Sequence, residues 1–183
     1  MKRNVLIFGL ILGTILAGTG LYMVNVVCNN PEFESNDALG YASMIVVFSL
    51  TFFGIRNYRN KELGGAISLG KAFQAGALIA FIGSSMYVLA WLPYYYLVVP
   101  DFIDKYTLHV LYMATRHGAT AAELTAKTEE MAQFKELYKS PLYVILISYM
   151  EVLPIGLVVA FVSSLFLKTK PNQSASTTAL STV

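Results

Sequence analysis

Glu151 is the one charged residue inside the four long apolar runs of this chain, about ten positions into the run Pro141–Leu167. If that run crosses a bilayer, the carboxyl lies near mid-membrane. An ionised acid there is expensive: insertion scales assign ~2.5–3.5 kcal/mol to aspartate at a helix centre, and glutamate should resemble it. The group must be neutral, paired or hydrated. Counted from the same end of the runs, Tyr87, Ser84 and Thr19 fall at comparable depth, and each can hydrogen-bond a protonated acid. No lysine or arginine does. Two readings follow: a proton- or cation-binding group, or a protonated glutamate joining helices beside a break at Pro154 and Gly156. The second is favoured here, because no further acid, histidine or second broken helix accompanies Glu151.

Other reactive residue types form no pattern. His109 and His117 are eight positions apart, not the i, i+4 spacing that puts two imidazoles on one helix face, so both are expected at the surface and no metal site is expected. The lone Cys28 excludes an internal disulfide and is expected to be inert near a helix end. Nucleophile elbows, phosphate loops and paired carboxylates are missing, which lowers an enzymatic reading and implies no cofactor. The formal charge of +2, without a basic cluster interleaved with aromatics, argues against nucleic acid.

The elements that must position these residues are the apolar runs Val5–Val27, Leu39–Ile55, Ala72–Val99 and Pro141–Leu167. A hydrocarbon core needs about 20 helical residues to cross, and only helices or closed barrels satisfy the backbone in lipid. The runs are too long for barrel strands. An all-α polytopic protein with four transmembrane helices follows, consistent with 56% hydrophobic and 13% charged residues. The first run exceeds the apolar core of a cleaved export signal and is read as retained. Lys2, Arg3, Arg56, Arg59, Lys61, Lys71, Lys168 and Lys170 fall in short segments on one side, which the positive-inside rule makes cytoplasmic, with both termini inside. Trp91, Tyr94, Tyr95 and Tyr96 then gather at the outer end of the third span, as an interfacial belt would.

Residues 100–140 between the third and fourth spans read as a two-helix extracytoplasmic cap. Phe102, Tyr106, Val110 and Met113 recur at helical spacing, and Gly118 offers a stop. Thr120 and Glu123 form a capping box, and Leu124, Met131, Phe134 and Tyr138 give the next helix an apolar stripe, with Glu123 and Lys127 paired one turn apart. The charges of the cap are most simply a solvated face. Gly9, Gly13 and Ala17 on the first helix, and Gly76, Ala80 and Ser84 on the third, are spaced four apart and predict close helix packing, within the chain or against a second copy or another membrane protein. The membrane domain is expected over 1–170, with a disordered tail over 171–183.

The stretches YRNKELGGAISLGKAFQAG (58–76), Pro100-Asp101-Phe102 and MEVLPIGLVVAFVSSLFLK (150–168) resemble an uncharacterised bacterial family of four-helix membrane proteins, domain-of-unknown-function family 4199. The resemblance covers most of the chain. It implies a bacterial inner-membrane location and carries no activity, cofactor or catalytic residue. The residues by themselves favour a non-enzymatic accessory, assembly or scaffolding component, with a small transporter or proton-coupled binding protein built on Glu151 as the alternative.

Overall fold

A computed structural model describes residues 1–30, 32–33 and 37–169. The expectation for the tail and the charge of Lys170 fall outside the described residues. Four helical segments are long and apolar enough to cross a membrane: Lys2–Asn29, Ala38–Glu62, Leu69–Val98 and Pro141–Leu167. The first is α1 (Lys2–Asn29) and the last α7 (Pro141–Leu167). The second is divided into α2 (Asp37–Phe48) and α3 (Leu50–Glu62) at Ser49, whose hydroxyl donates to the Val46 carbonyl at 2.6 Å. Such back-bonding bends a helix without ending it, and the Ser49 N–H still reaches the Ile45 carbonyl at 2.9 Å. The third consists of α4 (Leu69–Pro93) and a π-helical turn, Tyr94–Val98.

The core sits around α4, which lies between α1 and α7, with α3 closing the group. Absent Cβ atoms permit this closeness. A Cβ at Gly9 would lie 2.7 Å from Ile82 Cβ, and one at Gly13 would lie 2.6 Å from Met86 Cβ, so α1 meets α4 backbone to side-chain root. Ala17 is buried on the same face of α1. On its other side α4 presents Gly76 to Ala160 of α7, and Ala80 lies against Gly156. Gly156 also admits the fully buried ring of Phe48, a Cβ there falling 2.5 Å from Phe48 Cε1. The expected break at Pro154 and Gly156 does not occur. Helix α7 runs through both, Pro154 withholding one N–H from the Met150 carbonyl and Gly156 making room for a ring.

One end of the bundle is tied together by polar contacts. The Met1 ammonium pairs with Glu62, Arg59 Nη1 donates to the Leu167 carbonyl at 3.3 Å, and the Thr169 N–H donates to the Ile67 carbonyl at 2.9 Å. The Ile67 N–H in turn donates to Thr169 Oγ1 at 2.9 Å. Nearby, buried Asn4 donates to the Gly54 carbonyl at 2.8 Å and accepts from Asn57 Nδ2 at 2.6 Å, a polar clamp between α1 and α3.

The opposite end carries α5 (Phe102–Arg116) and α6 (Ala121–Tyr138). Gly118, at φ +79°, ends α5 in a Schellman turn: its N–H reaches the Thr115 carbonyl and that of Ala119 the Ala114 carbonyl. The reciprocal capping box of α6 is formed. Glu123 Oε2 accepts from the Thr120 N–H at 2.7 Å and from its hydroxyl at 2.9 Å, so Thr120 rather than Lys127 is its main partner. The two helices are joined by the ion pair of Lys135 with Asp104.

Two expectations at this end change. Trp91 and Tyr95 do not project into an interfacial belt; they are 5% and 8% exposed, packed with Phe102, Ile103 and Tyr138 beneath α5 and α6. Tyr96 alone of the four is largely exposed. His109 is not a surface residue either, at 3% exposure, because α5 turns it toward the bundle together with Ile103; His117, beyond the helix end, is exposed.

Candidate functional site

A cavity of ≈ 290 Å³ opens between α1, α2, α4, α5 and α7. Glu151 lines it from α7, Tyr87 from α4 and Thr19 from α1. Gly20, one residue beyond Thr19, lets the Tyr87 ring lie against α1, since a Cβ there would be 2.7 Å from Tyr87 Cε2.

Thr19 and Glu151 do not bond to each other across this cavity. The Thr19 hydroxyl donates to carbonyls of its own helix, Ile15 at 2.8 Å and Leu16 at 3.1 Å. Glu151 is exposed to the cavity, and its carboxylate makes no hydrogen bond or ion pair among the described residues. Ser84, grouped with it by depth, is elsewhere: it is fully buried, does not line the cavity, and its hydroxyl has no partner among the described residues. The hydrogen-bonded cluster around a protonated Glu151 is therefore not what the side chains form. Outside the cavity lining, Tyr149 donates to Ser85 at 2.7 Å on the side of α7 that faces Phe81.

Sequence reasoning missed the part of the wall supplied by α5. Phe102, Tyr106 and His109 all line the cavity, and the rings of Phe102 and Tyr106 stack at 5.8 Å. Their i, i+4 spacing was the available signal, but it read as an apolar stripe with no indication of what the stripe covers. Met23 of α1 and Met44 of α2 add two thioethers. Beside Phe102 and Tyr106 in the chain, Lys105 and Asp101 pair at 3.0 Å, the hydrogen bond to Lys105 holding the Asp101 carboxyl below its usual range and raising the ammonium. Tyr138 of α6 lies near enough to respond to Glu151: burial first, then that charge, pushes its phenol above the ordinary value.

The fold and the site define a helical membrane protein with four candidate spans among the described residues and with the Glu151 carboxylate facing a cavity between them. The chain belongs to the uncharacterised family described as protein of unknown function (DUF4199), whose model matches residues 5–169. No curated protein and no solved structure matches it. No cluster of three or more potential metal ligands occurs among the described residues.

Proposed function

We propose that this protein binds a small ligand in the cavity between its spans, as a membrane binding or transport protein, with Glu151 as the charged group of the site. The observation that carries this reading is the placement of Glu151: an acid in a membrane span faces a cavity of ≈ 290 Å³ without a hydrogen-bond partner among the described residues. A packing role needs such partners, and intramembrane ionisable groups that face a cavity commonly mark ligand or ion paths. The volume is close to the lower end of small-ligand pockets. The accessory or scaffolding reading loses one support, because the small-residue faces of α1 and α4 that could have received a partner are filled by Ile82, Met86 and Ala160 of the same chain. The basic residues near the tied end favour a bacterial cytoplasmic membrane with both termini inside and the α5–α6 cap outside.

Extraction from native membrane in a mild nonionic detergent, followed by native mass spectrometry, tests the reading. A small molecule should leave with the wild-type protein and be absent from Ser43→Trp, which fills the cavity from an exposed position on α2. A stoichiometric protein partner with no small molecule would favour the accessory role instead.

A further inference from the structure

We infer that the cavity selects an alkylated organic cation, a quaternary or tertiary ammonium carried on a small apolar body; this rests on the binding reading above. Among the described residues the wall holds one carboxylate, Glu151, one histidine, His109, and no lysine or arginine. Charge complementarity therefore asks for a positive ligand. The remaining wall decides what kind. Tyr87, Phe102 and Tyr106 bring three aromatic rings from α4 and α5, and Met23 and Met44 bring polarizable sulfur. Aromatic faces attract alkylammonium groups through their quadrupole, and sets of rings are the usual receptor for quaternary ammonium. An inorganic cation is a poor fit, because calcium or magnesium needs several oxygen ligands to replace its water, and the described wall offers a single carboxylate beside scattered hydroxyls. An alkylated ammonium has no tightly held water to replace.

The same headgroup chemistry occurs on a free amine and on a choline phospholipid. The free cation is the better match, since a lipid would also bring a phosphate toward Glu151, with no lysine or arginine among the described wall residues to receive it. Glu151 and the rings also divide the work. The carboxylate supplies the charge, and the rings add an attraction for the cation beyond the apolar contact that a neutral body of the same shape would share.

Equilibrium binding of tritiated benzyltrimethylammonium to the protein in lipid nanodiscs, with empty nanodiscs subtracted, tests the inference. Its neutral isostere neopentylbenzene and the short lipid dihexanoylphosphatidylcholine are measured alongside. The cation should bind wild type at least tenfold more tightly than Glu151→Gln, while Glu151→Asp retains most of the binding and neopentylbenzene does not distinguish the three. Tyr106→Leu should weaken the cation severalfold more than the isostere. The phospholipid binding as tightly as the free cation would assign the site to a lipid headgroup. If cation and isostere bind alike and Glu151→Gln changes neither, selection for a cation is overturned and the ligand-binding cavity stands. If neither binds, the inference fails, and the co-extraction experiment decides separately on the binding reading. Thermal unfolding of each variant identifies a loss of binding that comes from a loss of fold.

Discussion

Replacing Glu151 by leucine separates a packing group from a site group at the scale of one residue. A glutamate that joined helices would lose hydrogen bonds worth ~0.6–2 kcal/mol. Here no such bond is present to lose, and an ionisable group among apolar helices is itself costly. Glu151→Leu should therefore leave the thermal midpoint in nonionic detergent unchanged or raise it; a clear fall would restore the packing role. The small residues give the opposite expectation. Gly9→Val forces a side chain against the root of Ile82, where neither backbone has room to retreat, and should cost ~1–3 kcal/mol in the same assay. Gly18→Val, which meets nothing within 4 Å, serves as the comparison. What the sequence displayed at this scale was residue type and depth. Glu151, Tyr87 and Thr19 could be grouped because all three lie on long regular helices, whereas Ser84 is fully buried in the helix packing and does not line the cavity, which depth alone does not report.

Among the elements, α6 is the one whose start is written most plainly in the chain. Thr120→Ala removes the hydroxyl that accepts from the Glu123 N–H and donates to its carboxylate, and should weaken the helix start by ~1 kcal/mol. Hydrogen exchange within 121–127 should rise accordingly; unchanged protection would mean that packing alone holds this turn. The Glu123 carboxyl is held below its ordinary value, first by the Thr120 N–H and then by the Thr120 hydroxyl. A group lowered on folding contributes above its unfolded value and loses that contribution as pH falls through the folded one. Exchange in this turn should thus increase on acidification past the usual carboxylate range, and Glu123→Gln should flatten that dependence. The capping box was legible because it needs only two residues three apart. The burial of Trp91, Tyr95 and His109 was not, because it depends on α5 folding back over the end of α4, and a short amphipathic stripe does not name the surface that it covers.

For the whole molecule, the four spans followed from length and composition, since uncharged runs of this size have few alternatives in either solvent. Their arrangement did not, because lipid-facing and helix-facing positions are equally apolar and α2 and α3 share one run. Orientation is testable directly. In a Cys28→Ser background, a membrane-impermeant thiol reagent should label Thr120→Cys in intact cells and leave Asn60→Cys untouched until the membrane is opened. Labelling of Asn60→Cys from outside would invert the topology. The mutual bonds between Ile67 and Thr169 bear on how the molecule is made. They join positions 102 residues apart, so Ile67 is synthesised long before its partner. Without α7, Gly76 and Ala80 lack the Ala160 and Gly156 against which they pack, and the cavity lacks Glu151. Insertion of the last span is then a single event that seals the core, fastens the bundle at one end and installs the charge of the site, so a truncated chain would carry neither a finished fold nor a partly working cavity.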